Sequence, residues 1–269
     1  MRTLRLPAAL LAGVAGLAGL LLAGCFDIEE SIDLDRNLSG KAGLDVTVDM
    51  GAMVVPMLMM SRGMEGKTGD PTPAEIAKAR QEMIDQQKKD PSKGPSAPKR
   101  EDIEKSLPPG VRLIDAGVDD AKDLKMKAHF RFAFDDLNKL AQIREAKKDE
   151  AAPGPGKPTL FDQPFAALKL VDEGKTLLLS TQLGNPVSEA GSQVGGGGDA
   201  PPTPEAQKTI DQIFQGLHLR FRLTTPFTVV DSNATRRDGQ TLVWDLDSAA
   251  VQKLAASKQP LKIWARLRR

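Results

Sequence analysis

The sequence predicts an α+β fold, with antiparallel β-hairpins interleaved with short helices, in which one curved sheet or open barrel is packed by helices. Three observations predict it. Apolar and polar residues alternate with period two in segment after segment, which is the signature of strands with one buried face. Those segments come in pairs joined by turn sequences such as Asn37–Gly40 and Asp172-Glu173-Gly174. Stretches of helical spacing follow the pairs, and that order favours antiparallel α+β over a wound parallel sheet.

The chain opens with a segment of another kind. Arg2 and Arg5 precede the uncharged run Leu6–Gly24, and charge returns at Asp27, Glu29 and Glu30. A short positive region followed by an apolar one is the layout of a secretory signal. The run ends Leu22-Ala23-Gly24-Cys25, which resembles the lipobox of bacterial lipoproteins. The resemblance implies cleavage between Gly24 and Cys25, a diacylglycerol thioether on Cys25, and acylation of the new amino terminus. One acyl chain anchors marginally, whereas two or more anchor stably. An uncleaved span and an ordinary cleaved signal are the alternatives. The run is near the lower length limit for a span, but it is rich in Gly and Ala and carries Pro7. Cys25 is the only cysteine, so disulfides and thiol catalysis leave the list.

Residues 1–24 are thus expected to be a signal peptide and 25–269 the exported domain, with flexible inserts near 62–72, 90–100, 147–158 and 184–204. Phe26, Ile28, Ile32 and Leu34 alternate with Asp27, Glu29, Ser31, Asp33 and Asp35. After the turn, Ala42, Leu44, Val46, Val48 and Met50 repeat the pattern. Residues 26–50 therefore read as a hairpin. Gly51–Arg62 is apolar and helical in character, interrupted by Pro56. Pro73 opens a helix to about Lys89, since proline suits a first helical position. Pro91–Arg100 is a linker, and a short helix at Glu101–Leu107 stops at Pro108-Pro109-Gly110.

Val111–Val118 and Leu124–Phe134 make a second strand pair. Asp135–Glu145 is a helix with Leu137, Leu140 and Ile143 on one stripe. After a linker at Ala151–Pro158, Ala167–Val171 and Lys175–Gln182 form another hairpin. Asn185–Pro204, with its four-glycine run, is a low-complexity loop. A short helix at Pro204–Gln215 leads to a strand at Leu217–Thr224. Phe227–Asp231 and Thr241–Asp245 flank a turn at Arg237-Asp238-Gly239. A helix at Ser248–Ala255 precedes the last strand, Leu261–Leu267.

Removing residues 1–24 leaves 245 residues and a net charge of −1, because the signal takes two of the 37 basic residues against 36 acidic ones. Near-neutral balance argues against nucleic acid as a partner. There is no tyrosine and only two tryptophans, Trp244 and Trp264, so the aromatics that line sugar sites are scarce.

The first hairpin is acidic on its polar face, through Asp27, Glu29, Asp33, Asp35, Asp45 and Asp49. Three later strands are basic: Lys125, Lys127, His129 and Arg131; His218, Arg220 and Arg222; Lys262, Arg266 and Arg268. Acidic and basic strands side by side would make cross-strand ion pairs. Basic strands adjoining each other would instead make a patch for anionic head groups, with Arg220 and Arg222 as contacts.

Catalytic signatures are missing from the sequence. His129 and His218 lie beside Arg or Lys, a neighbourhood that disfavours a metal or a general base. No HExxH, nucleophile elbow or phosphate loop occurs. No cofactor and no metal are expected. Met53, Met57, Met60 and Met64 recur at helical spacing. Core packing, a lipid-accommodating surface and copper(I) ligation are the readings open to them, methionine being flexible and polarizable.

The stretch Pro226–Leu246, PFTVVDSNATRRDGQTLVWDL, resembles the end of the LppM-like lipoprotein family in Val229, Ser232-Asn233-Ala234, Gly239 and Val243-Trp244-Asp245-Leu246. The start, Cys25 with the Ile32–Val48 hairpin, is compatible with it. The family pattern has Gly where this chain has Phe227. The resemblance implies an α+β envelope domain engaging lipids or glycolipids and carries over no catalytic residue.

The expectation is a lipid-anchored, non-enzymatic envelope lipoprotein that binds an apolar or amphipathic ligand or an envelope protein partner. A membrane-anchored hydrolase with a carboxylate site, or an assembly subunit, is the alternative. The anchor would sit in the cell membrane or outer membrane, facing the periplasm or exterior. Phe26 after the cysteine, in place of Asp, points to the outer membrane where enterobacterial-type sorting applies.

Overall fold

The computed structural model describes residues 26–52, 54–65, 69–89, 100–105, 107–122, 124–147, 165, 168–183, 217–250, 253 and 261–269. The fold is mixed α and β, with strands outweighing helices. The strands are β1 (Phe26–Leu34), β2 (Gly40–Asp49), β3 (Val111–Lys122), β4 (Lys125–Phe134), β5 (Lys169–Asp172) and β6 (Thr176–Leu183). They continue with β7 (His218–Thr224), β8 (Thr228–Ser232), β9 (Arg236–Asp238), β10 (Thr241–Leu246) and β11 (Leu261–Arg268). The helices are α1 (Val54–Met64), α2 (Pro73–Lys89), α3 (Arg100–Lys105) and a 3-10 helix at Leu137–Lys147.

The strands divide between two open sheets and do not form a single curved one. The larger runs β3-β4-β2-β1-β7-β10-β9, the smaller β5-β6-β11-β8. The hairpins read from alternation are all present: β1–β2, β3–β4 and β5–β6 are antiparallel. One pairing departs from that pattern. β1 and β7 are parallel, with Ile28 beside Leu219 and Ile32 beside Leu223. Local alternation cannot show such a pair, because more than half of the chain lies between its two strands. β8 and β10, which flank the Gly239 turn, are not partners either. β8 pairs with β11, whereas β10 pairs with β9 and β7. Gly239 has φ 62°, the left-handed conformation a tight turn asks of glycine.

One buried cluster joins both sheets. Ile32, Phe132, Phe134, Phe221, Leu223 and Trp244 come from the larger sheet, and Leu177, Leu179, Ile263, Ala265 and Leu267 from the smaller. Phe221 and Trp244 meet edge to face at 5.5 Å. Trp244 is 3 % exposed, so it is a core anchor. Its indole Nε1 donates to Asn233 Oδ1 at 2.8 Å, and that oxygen also accepts the Trp264 N–H at 2.9 Å. Asn233 thereby ties β10 to β11, one sheet to the other.

The stripe Leu137, Leu140 and Ile143 is buried as expected, but the helix that carries it is 3-10. Its spacing of three residues is the repeat of that helix type, not of the α-helix. Thr72 caps α2: Glu75 Oε2 accepts from the Thr72 N–H at 2.7 Å, and Thr72 Oγ1 accepts from the Glu75 N–H at 3.3 Å. This reciprocal pair is a capping box, with Pro73 at the first helical position. Pro56 lies in the first turn of α1, where the missing N–H has no intrahelical partner to lose. The linkers at 90–99, 148–158 and 184–204 and the helix expected at Pro204–Gln215 lie outside the described residues.

Candidate functional site

Gly24, Cys25 and Met53 also lie outside the described residues. What surrounds them in sequence is described. β1 starts at Phe26, directly after Cys25, and Phe26 pairs with Val48 near the end of β2. α1 begins six residues later, so it leaves from the same end of the β1–β2 hairpin. Val55, Pro56, Met57, Leu58 and Met59 are each half-buried, so an apolar helix keeps part of its surface open. Met60 and Met64 fall within α1, and their side chains are outside those described. Arg62 Nη1 holds α1 to α2 through Glu75 Oε1 at 2.7 Å.

Along β1 the odd-numbered side chains form a charged outer face. Glu29 accepts from Arg220 Nη1 and Arg222 Nη1, each at 3.1 Å. Burial alone would raise the Glu29 pKa; hydrogen bonds from Arg222 and Arg220, with their charges, outweigh it and hold the carboxyl below its ordinary value. Asp45, directly opposite Glu29 on β2, would repel it. Its charge is instead met by Arg131 Nη2 at 2.7 Å. Gly43 allows this: a Cβ there would lie 2.6 Å from Ser31 Oγ and 3.3 Å from Arg131 Nη1. Asp49 pairs with Lys125 at 3.3 Å.

The basic strands are not neighbours. β4 and β7 are separated by β2 and β1, and β11 belongs to the other sheet. Arg220 and Arg222 sit together on β7, but both guanidiniums face Glu29. Across the sheet the order is basic β4, acidic β2, acidic β1, basic β7, so each of these basic strands borders an acidic one. The histidines also sit among carboxylates rather than cations. His129 Nε2 is 3.2 Å from Asp115. His218 Nδ1 is 3.2 Å from Asp27, and its Nε2 contacts Asp245. When protonated, that ring donates from both nitrogens. Burial alone would raise the Asp245 pKa; the His218 hydrogen bond and the Arg220 charge outweigh it and lower the pKa. Asp27 on β1 and Asp245 on β10 thus reach the same imidazole from the two sides of β7. Among the described residues no cluster of ligands could hold a metal ion.

The even-numbered face of β1 carries Ile28, Glu30, Ile32 and Leu34. Glu30 is the exception on an apolar row, flanked by Leu44 on β2 and Phe221 on β7, both buried. The residue keeps some exposed surface, yet burial pushes its carboxyl up to about 7, against the smaller opposing effect of the Phe165 N–H. That N–H donates to Glu30 Oε2 at 3.4 Å. Phe165 itself is 1 % exposed, has φ 60° and packs edge to face on Phe132 at 6.4 Å. Parity with Ile28 and Ile32 is the signal that places Glu30 inside.

A cleft of about 620 Å³ opens at the opposite end of β1 from Phe26. Arg36, Asn37 and Leu38 of the β1–β2 turn form one wall. Pro226, Phe227 and Thr228, between β7 and β8, form the second, and Arg268 and Arg269 close it. Among the described residues, no acidic side chain lines it. Sequence reading placed Arg268 on a basic strand and noted Phe227 only as a departure from the family pattern; it did not single out Arg36. They are brought together by the β1–β7 pairing, which leaves no local trace.

No protein-family model matches the chain, and neither does any curated protein. Among solved structures, the chain is similar to the folded domain of the LppM protein of Mycobacterium tuberculosis, determined by NMR. The match has a TM-score of 0.42 and 12 % identity and covers 91 % of each chain. No described helix is long and apolar enough to cross a membrane.

Proposed function

We propose that the chain is a non-enzymatic envelope lipoprotein, held to the cell membrane or outer membrane through Cys25, whose domain binds an amphipathic ligand or an envelope partner close to the bilayer. The observation that carries the reading is the junction itself. Leu22-Ala23-Gly24-Cys25 runs without a tether into β1, an inner strand of the larger sheet. A lipid on Cys25 would leave the domain no room to swing far from the surface.

The end of the domain next to Cys25 suits that position. α1, with Met57 and Leu58 half-buried, lies at the Phe26 end of the hairpin and would meet the headgroup region. Adaptable, methionine-rich apolar surface is the kind that accommodates acyl chains. Met53, Met60 and Met64 belong to the same segment, and Arg220 and Arg222 lie on β7, beside β1.

The test is expression of the full chain and of Cys25→Ser in a bacterium carrying the lipoprotein-processing enzymes. The unsubstituted chain is expected to incorporate labelled palmitate and to remain in the membrane fraction after a carbonate wash. Cys25→Ser should lose both properties. A Cys25→Ser protein that is still processed and membrane-bound overturns the proposal.

A further inference from the structure

The strand arginines of the domain are mostly matched by acids. Arg131 has Asp45, Arg220 and Arg222 share Glu29, Arg236 has Asp238, and Arg266 has Glu173. The cleft between the β1–β2 turn and the end of β11 breaks this pattern. Arg269 reaches Asp172 at 2.9 Å, but Arg36 and Arg268 have no carboxylate partner among the described residues. Arg36 and Arg268 thus line one concavity, and no acid is among the described residues around it.

We infer that this cleft is a binding site for a phosphate ester, with Arg36 and Arg268 as its anion-holding residues. A guanidinium presents a planar fork of donors that matches phosphate oxygens two at a time. A phosphate monoester carries close to two negative charges at neutral pH, equal to the two unpaired cations. The walls suit the rest of such a molecule. Leu38 and Phe227 are half-buried and offer an apolar surface to a sugar ring or glycerol backbone. Thr228, exposed and among the lining residues, carries a hydroxyl that a ligand hydroxyl could bond. Leu38 is held at φ 68°, a left-handed conformation rare for a leucine, so the turn presents this side chain at a cost in backbone strain.

Position narrows the source of the phosphate. β1 has nine residues, and at about 3.3 Å per residue its ends are roughly 26 Å apart. The cleft is at one end and Phe26 at the other. The inference rests on the reading of the domain as a binding module, and on that geometry the site is remote from the anchored end. A soluble phosphate ester, or the headgroup of a lipid lifted out of its bilayer, fits better than a headgroup lying in the anchoring leaflet.

The experiment is isothermal titration calorimetry on the full chain in neutral detergent, with three probes: sodium phosphate, glycerol 3-phosphate and detergent-dispersed phosphatidylglycerol. Glycerol 3-phosphate is expected to bind saturably and more tightly than sodium phosphate. Arg36→Gln with Arg268→Gln should weaken binding about tenfold or more, while Lys127→Gln, on β4, leaves it unchanged. Phe227→Ala should weaken the ester and not inorganic phosphate. Binding of phosphatidylglycerol alone, with the same loss in the arginine variant, assigns the site to a lipid headgroup and also supports it. Absence of binding by all three probes, or equal binding by the folded double-arginine variant, overturns it. Palmitate labelling at Cys25 is unaffected by these variants, so failure here is separable from failure of the anchor.

Discussion

The two faces of β1 hold neighbouring glutamates in opposite states. Glu29 points outward between Arg220 and Arg222, and its carboxyl is held below its ordinary value. Glu30 points inward between Leu44 and Phe221, and its carboxyl is pushed up to about 7. The side chains are chemically identical, and one peptide bond separates them. The pleat alone decides which finds cations and which finds hydrocarbon. Charge on this domain is therefore set by strand parity and cross-strand partners, not by local composition.

The contrast is broken most strongly at Glu30. Below its ordinary value of 4.5 the carboxyl is protonated in both folded and unfolded chains and adds no pH dependence. As pH rises, the unfolded chain releases its proton first, so stability falls until the folded group ionises near 7. Above that pH the charged carboxylate costs up to about 3 kcal/mol. Glu30→Gln is expected to remove this slope and to be more stable than the parent at pH 8, as read by urea denaturation at pH 5 and pH 8. A parent protein whose stability does not fall between those values refutes the interior assignment.

A smaller effect is expected outside. Glu29→Gln leaves Arg220 and Arg222 without their carboxylate, but the site is open to water and Glu29 is 23 % exposed. The expected loss is about 1 kcal/mol, reduced by added salt. Its pH dependence runs the other way: the Glu29 contribution is present above the unfolded carboxyl pKa and is lost as pH falls through the lower folded value. A loss as large at 1 M salt as at low salt would contradict an electrostatic origin. The smallest change is expected at Asp45→Asn. Asp45 and Arg131 are both about two-fifths exposed, and the pair is worth no more than about 0.5 kcal/mol. Thermal unfolding should barely register it.

Period-two reading recovered the hairpins and the α+β class because each depends on neighbours within about twenty residues. It left helical spacing to place Leu137, Leu140 and Ile143 on one stripe, which is buried in a 3-10 helix. It did not recover the division into two sheets, because β8 chooses β11 over β10 through Asn233 and its contacts with both tryptophan strands. Glu30 escaped notice because the apolar residues around it are sufficient to define the strand, and a single acid on the inner row looks like noise. The cleft escaped for a different reason. Arg36, Phe227 and Arg268 belong to three separate segments, and only the fold places them around one opening.

The pairing that builds that opening also sets the order in which the molecule can be completed. β2 covers one edge of β1 within a single hairpin, but the other edge waits for β7, whose His218 lies 191 positions beyond Asp27. The residues between them must all emerge before that edge can close. Through that interval an inner strand presents an unpaired edge, the kind of surface that recruits foreign strands. A chaperone that holds the emerging hairpin should raise the yield of folded protein, since β1, the first of the described strands, is among the last to be closed.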